Sequence, residues 1–275
     1  MILIYWQEVD HRSNLHLLLL KISRDYQKDK MKIITWNCKM AYRKKAKLIS
    51  GYHPDLVVVP ECESLGEATG KHLWFGDNLK KGIGIFCYSD FKIELHEAYN
   101  PAFKYVIPIK VKGPFKFSLF AVWAMNDLKD VRKRYIGQVY SAIDYYKNLL
   151  NYPTIIMGDF NWNAIWDKSP SYPLYGNLGN TVDLLNLRGI RSAYHEFFKE
   201  DLGKETKPTF FMHHNKDKPY HIDYCFTSSD FNISNVEIGS FDDWIDKSDH
   251  VPLITTLECK DNKSHKNKDV GKISL

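Results

Sequence analysis

Apolar residues along this chain gather into short runs separated by polar turns, and the runs take two forms. The first is continuous and rich in β-branched residues, as in Leu56-Val57-Val58-Val59-Pro60, and it suits a strand buried on both faces. Runs of this kind predict strands over 32–36, 56–60, 83–88, 105–111, 116–123, 154–157, 222–227 and 252–257. The second form is periodic: Val131, Tyr135, Val139, Ile143, Tyr146 and Leu150 recur at three- and four-residue spacing, which predicts an amphipathic helix over 128–150 lying on a sheet. Further helices are expected over 41–50, closed by Gly51 as a glycine just past a helix end, and near 181–188 and 192–199. Strands alternating with helices in this way define an α/β protein.

The two ends read differently. Met31 opens a strand-like run that looks like the start of a domain, so residues 1–30 are expected to be an N-terminal extension, either extra translation from an upstream start or a short helix around Leu15 to Ile22. Residues 31–259 form the expected domain, and the lysine-rich stretch 260–275 is expected to be a disordered basic tail. At 275 residues, 44% hydrophobic and 14% aromatic, the chain has the material for a sizeable core. The Leu15 to Leu20 run is too short to span a bilayer and no cleavage signal follows it, so neither membrane insertion nor secretion is expected. Five widely spaced cysteines without a CxxC pair fit buried reduced thiols and a cytoplasmic location.

Charge adds little. Of the formal net charge of +5, +3 belongs to residues 260–275 and +1 to residues 1–30, which leaves +1 on 31–259. That is a weak electrostatic footprint for nucleic acid. The basic clusters Arg43 to Lys47 and Lys129 to Arg134 suit solvated helix faces.

The chemistry lies where the apolar runs stop. Asn37 follows the first run, Glu61 the second, Asp159 and Asn161 close Gly158-Asp159-Phe160-Asn161, and Ser248-Asp249-His250 leads into the last. A strand buried on both faces exposes chiefly its ends, so Asn37, Glu61 and Asp159 are expected to meet at one rim. Glu61, with Glu63 as its competitor, suits a hard cation such as Mg²⁺ or Mn²⁺. Asp159 and Asn161 point the same way if the extended conformation persists, one to orient or deprotonate water and the other to donate to a phosphoryl oxygen. His250 suits a donor or an acid–base group near neutral pH, with Asp223 as the partner that holds its tautomer. Trp162, Trp166, Phe210, Phe211 and Tyr220 offer rings for base stacking or for core packing. His213, His214 and His221 lack ligands at zinc-finger spacing.

These residues, in this order, resemble the endonuclease/exonuclease/phosphatase superfamily from Met31 to Leu257. The resemblance rests on Asn37 after the first strand, Glu61 after Pro54-Asp55 and an apolar strand, Gly158 to Asn161, Asp223, and Ser248 to His250. It implies a four-layer α/β/β/α sandwich of two mixed sheets with flanking helices. It implies Asn37, Glu61 and Asp249 around Mg²⁺ or Mn²⁺, Asp159 and Asn161 handling water and phosphate, and Asp223 supporting His250. Hydrolysis of DNA or RNA to a 5′-phosphate and a 3′-hydroxyl follows as the first expectation, with Trp162, Phe210 and Tyr220 against the substrate and no protein partner. The alternatives are a phosphomonoesterase or lipid phosphodiesterase of the same superfamily, and a non-catalytic module on the same fold. Two positions depart from the pattern. Lys39 stands where several repair-type members carry an acid, and Trp123 stands where abasic-site nucleases carry a tyrosine, which leaves Asn126 as the phosphate contact of that strand.

Overall fold

The computed structural model describes residues 30–67 and 71–260. The expected extension, except Lys30, and the expected tail beyond Lys260 lie outside the described residues. The chain begins with β1 (Lys30–Thr35), α1 (Tyr42–Ser50), β2 (Leu56–Cys62), β3 (His72–Asn78), β4 (Lys81–Cys87), β5 (Lys92–Leu95), β6 (Val106–Lys112) and β7 (Phe117–Trp123). It continues through α2 (Ile136–Tyr145), β8 (Thr154–Asp159), α3 (Leu178–Asn186), β9 (Arg191–Ser192), α4 (Ala193–Phe198), β10 (Phe210–Phe211) and β11 (Pro219–Tyr220). The last elements are β12 (Asp223–Thr227), β13 (Phe231–Ile238), α5 (Phe241–Trp244) and β14 (Leu253–Cys259).

Twelve of these strands make two mixed sheets in the orders β13-β14-β1-β2-β4-β3 and β5-β6-β7-β8-β12-β9. Alternation along each interior strand assigns its side chains to two cores. Ile33, Val58, Leu119, Ala121, Ile155, Met157 and Cys225 face inward and fill the space between the sheets. Their neighbours Phe120, Val122, Ile156, Tyr224 and Phe226 face outward against Ile136, Val139 and Ile143 of α2 and Leu178 and Leu185 of α3. On the opposite side Ile34, Val57 and Val59 meet Tyr42 and Ile49 of α1 and Trp244 of α5. Because each interior strand is covered on both faces, period-2 alternation is invisible in its sequence and only an unbroken apolar run remains. The layers are the expected α/β/β/α sandwich.

The eight strands read from the sequence are the eight interior strands, with ends that agree within two residues. The four edge strands β3, β5, β9 and β13 do not appear in that reading. An edge buries one face, so its apolar positions are interrupted, as in His72-Leu73-Trp74-Phe75-Gly76-Asp77-Asn78. The helix expected over 128–150 is also broken. A 3₁₀ turn at Val131–Lys133, α2 and a second 3₁₀ turn at Lys147–Asn151 replace it. The break falls at Tyr135, whose φ is 48°, and its N–H goes back to the Met125 carbonyl at 2.8 Å rather than into a helix. Gly51 does follow α1, but in right-handed conformation (φ −61°), and the left-handed residue is His53 (φ 51°). Cys38, Cys62, Cys87 and Cys225 are buried thiols. Among the described residues no helix is long and apolar enough to cross a membrane.

Candidate active site

Topology brings the polar run-ends to one rim. β1 and β2 are parallel and β14 is antiparallel to β1, so the C-terminal ends of the first two lie beside the start of β14. In the second sheet β7 and β8 are parallel and β12 is antiparallel to β8, so Asp159, the last residue of β8, pairs directly with Asp223, the first of β12. Two side-chain hydrogen bonds join the rims at this point: Asn37 Nδ2 donates to Asp159 Oδ2 at 2.9 Å, and His250, just before β14, bonds Asp223 of β12 at 2.8 Å.

Asp159 is completely buried and accepts three hydrogen bonds, two on Oδ2 and one on Oδ1. Asn161 Nδ2 reaches its Oδ2 at 2.9 Å and the Asn161 N–H reaches Oδ1 at 2.8 Å. That hook requires left-handed backbone at Asn161 (φ 49°), which asparagine tolerates better than most residues. Gly158 has φ 148°, and a Cβ there would stand 1.8 Å from the Val122 carbonyl oxygen, so only glycine lets β8 reach this position beside β7.

His250 Nδ1 lies 2.8 Å from Asp223 Oδ2, which makes Nδ1 the protonated nitrogen and turns Nε2 toward any ligand. The His250 N–H donates to Ser248 Oγ at 3.1 Å, the Ser248 hydroxyl donates to the Asn37 carbonyl at 2.7 Å, and Trp36 Nε1 donates to the His250 carbonyl at 2.9 Å. Thr209 Oγ1 accepts the N–H groups of both Ile222 and Asp223 at 3.0 Å, fixing the start of β12. Asp223 Oδ1 is buried without a hydrogen-bond partner. One ligating atom each of Asp159, Asp223 and His250 lies within 4.8 Å of the other two.

Two buried carboxylates around one imidazole perturb each other strongly. Burial drives the Asp159 carboxyl well above the usual carboxylate range and the Asp223 charge adds to that, against the pull of His250 and Asn37. Burial by itself would lower the His250 imidazole, but the Asp223 and Asp159 carboxylates outweigh it and hold the ring above its ordinary value. A base raised toward neutrality beside an imidazole that stays protonated is a division of labour suited to hydrolysis.

The second group of residues lies on the first sheet's part of the rim. Glu61 is the extra residue of a β-bulge between Pro60 and Cys62, with φ 58°, and the bulge aims its carboxylate out of the ladder. Its Oε1 meets Lys81 Nζ at 3.1 Å. Asp249 Oδ2 meets Lys39 Nζ at 3.1 Å, and Asn37 Oδ1 accepts the Lys39 N–H at 3.1 Å. Two part-buried carboxylates and an amide oxygen are hard donors that fit Mg²⁺ or Mn²⁺, and the ammonium on each carboxylate marks where the fold sets positive charge. Glu63 is engaged elsewhere, accepting the Tyr42 and Arg43 N–H groups at 2.7 and 3.0 Å at the start of α1.

The aromatics divide. Trp162 is 5% exposed, its Nε1 donates to Asp167 Oδ1 at 2.7 Å and it packs in the core beneath Trp166, so it has no face for substrate. Phe210 and Tyr220 are half-buried and pair across β10 and β11. The Phe210 ring lies 4.6 Å from that of His250, and the Tyr220 ring 5.2 Å from that of Trp166, so the rings form a ridge leading to the imidazole. Asn126 is exposed and lines a separate depression with Asp77, Lys104 and Lys129. The histidines differ in surroundings: His221 is buried with Nδ1 on the Lys207 carbonyl at 2.8 Å, and His213 and His214 sit on an exposed turn.

Sequence reasoning missed Lys81, Thr209 and Glu205, and only Thr209, close before Phe210, lay beside a residue it named. Glu205 accepts from His195 Nε2 at 3.0 Å, from the Gly203 N–H at 3.0 Å and from Asn163 Nδ2 at 3.1 Å, and Asn163 also ties the His221 carbonyl just before Asp223. Burial opposes the Glu205 charge, but these bonds outweigh it and lower the carboxyl to about 2. The folded state therefore gains stability above the unfolded value near 4.5 and loses it as pH falls toward about 2. Denaturation from pH 7 to 3 should show wild type losing roughly 2 kcal/mol more than Glu205→Gln, and parallel curves would disprove the assignment.

The fold thus gathers the buried Asp159, Asp223 and His250 cluster and the carboxylates of Glu61 and Asp249 along one rim of the two sheets. A family model described as "Endonuclease/Exonuclease/phosphatase family" matches residues 34–250, and the chain belongs to this family. No curated protein matches the chain. Among solved structures, a 3′-5′ exonuclease from Neisseria meningitidis is similar with TM-score 0.59 at 18% identity, covering 84% of this chain and 100% of that one. A humanized D. rerio TDP2 is similar with TM-score 0.59 at 14% identity, over 84% of this chain and 99% of that one. The endonuclease domain of TRAS1, a telomere-specific non-LTR retrotransposon, gives 0.57 at 13%, over 84% and 100%. At these identities the likeness is one of fold.

Proposed function

We propose that the protein is a Mg²⁺- or Mn²⁺-dependent nuclease that hydrolyses phosphodiester bonds of DNA or RNA. The observation that carries this reading is the buried cluster of Asp159, Asp223 and His250 within 4.8 Å, bonded to Asn37 and Asn161 at the rim that also holds Glu61 and Asp249. Asn37, Glu61 and Asp249 would hold the cation, which supplies charge neutralisation of the phosphoryl and leaving oxygens.

The remaining work falls to the chain's own side chains. The Asp159 carboxylate orients a water through its Oδ1 and takes its proton as the new O–P bond forms. His250, protonated and held by Asp223, donates from Nε2 to a non-bridging phosphoryl oxygen, while Asn161, its Nδ2 shared between Asp159 Oδ2 and the Ala124 carbonyl, holds the Asp159 carboxylate in place. The P–O bond to the leaving sugar oxygen breaks, and that oxygen takes a proton from solvent. Phe210, Tyr220 and Trp166 give neighbouring bases flat apolar surface, a contact that any base can use.

Support for nucleic acid also comes from the neighbours: one is a structure of a Neisseria 3′ phosphatase bound to a product DNA hairpin. A second reading, a phosphomonoesterase of the same family, rests on the +1 net charge of residues 31–259. The test is hydrolysis of DNA, RNA, nucleotides, inositol phosphates and phospholipids with Mg²⁺ and with chelator. The nuclease reading expects nucleic-acid cleavage that chelator abolishes and an affinity that falls steeply with salt, whereas turnover of small phosphomonoesters alone would replace it.

A further inference from the structure

Both carboxylates expected to face the cation are already neutralised by the protein itself. Lys39 Nζ lies 3.1 Å from Asp249 Oδ2 and Lys81 Nζ 3.1 Å from Glu61 Oε1. The carboxylates are 20% exposed and the lysines about 40%, so each pair has one side toward the protein and one toward solvent. Lys39 also donates to His214 Nε2 at 2.7 Å, a ring whose Nδ1–H is committed to the Ile245 carbonyl at 2.9 Å. Lys81 sits 5.5 Å above the Trp123 ring, the residue paired with Asp159 across β7 and β8.

The placement of Lys39 is built, not incidental. Lys39, Met40 and Ala41 are three consecutive non-glycine residues in left-handed conformation, with φ of 50°, 66° and 55°. Such a run persists only where surroundings over-determine it. Here the Lys45 ammonium does so, donating to the carbonyls of Cys38 at 2.7 Å, Met40 at 3.1 Å and Lys247 at 2.6 Å. Burial lowers the Lys45 ammonium from its usual range, which fits a cation used up by backbone carbonyls. A loop held in this way delivers the Lys39 side chain to Asp249.

We propose that Lys39 and Lys81 are resident counter-cations of Asp249 and Glu61, so that the site takes up a divalent cation weakly alone and strongly together with a phosphate, onto which the displaced Lys39 ammonium moves. The charge count dictates the coupling. Two carboxylates and two ammoniums are locally neutral, and adding a dication to them leaves an excess of +2 in a part-buried rim. A phosphate removes most of that excess and accepts the ammonium that the cation has displaced. The solvent-facing side of Lys39 lets the ammonium make this move without unfolding the loop.

This inference rests on the metal-dependent reading above, and the experiment separates the two. Mg²⁺ is titrated calorimetrically into the full-length protein, with and without inorganic phosphate, for wild type, Lys39→Met, Lys39→Arg, Lys81→Met and Glu61→Gln, with folding checked by circular dichroism. In wild type, phosphate should tighten Mg²⁺ about tenfold. Without phosphate, Lys39→Met should bind Mg²⁺ about tenfold more tightly than wild type and gain little from phosphate. Lys39→Arg should behave as wild type, and Lys81→Met should also tighten Mg²⁺, which keeps the test decisive if Lys39→Met misfolds. Equal Mg²⁺ affinity in wild type and both methionine variants, abolished by Glu61→Gln, overturns the counter-cation role and leaves the metal reading intact. Absence of Mg²⁺ binding in wild type and both methionine variants overturns the metal reading, and this inference with it.

Discussion

His250→Ala and Asp159→Asn should each slow phosphoester hydrolysis by about 10²–10³ or more while leaving a folded protein, because each removes one charge aimed at the reacting atoms. Asp159→Asn preserves shape, so the Asn37 and Asn161 amides keep a neighbour of equal size, but the replacement can no longer take a proton from water. His250→Ala removes the donor that Asp223 orients across 2.8 Å. Asp223→Asn should lose a similar factor with the imidazole still present, since the amide no longer stabilises the protonated ring. Steady-state assays on the substrate identified by the panel measure these losses. Turnover within a few-fold of wild type for Asp159→Asn or His250→Ala would remove the cluster from the mechanism.

Gly158→Ala should destabilise the protein by roughly 3 kcal/mol or prevent folding, the largest stability effect expected of a single methyl group here. A Cβ at this position would overlap the Val122 carbonyl at 1.8 Å, and that carbonyl belongs to the adjacent strand, which has no freedom to withdraw. The φ of 148° adds backbone strain for any residue with a side chain. Chemical denaturation of Gly158→Ala against wild type measures this, with Gly189→Ala as a comparison, since a Cβ there meets nothing closer than the Ser229 hydroxyl at 3.8 Å despite φ of 68°. Equal stability of Gly158→Ala and wild type would contradict the close approach of β7 and β8.

Much of the candidate site was legible because its polar residues are attached to strand ends. Asn37, Glu61, Asp159, Asp223 and His250 each stand where an apolar run starts or stops, and the eight runs that the sequence displays are the eight interior strands. What the sequence left dark has a common cause. Lys81 follows a hairpin turn and resembles any surface lysine until its strand is seen beside Glu61. Trp162 and Phe210 are equally aromatic on paper, and only packing sends one into the core and the other against His250.

The sequence by itself therefore determined the interior of both sheets and the residues at their ends, because burial on two faces forces unbroken apolar runs and leaves polar groups only where those runs finish. The tertiary structure alone decided the edge strands, the break at Tyr135 and the pairing of each carboxylate with its ammonium. Those features depend on which surfaces meet across the chain, and a residue's neighbours in sequence carry no record of its neighbours in space.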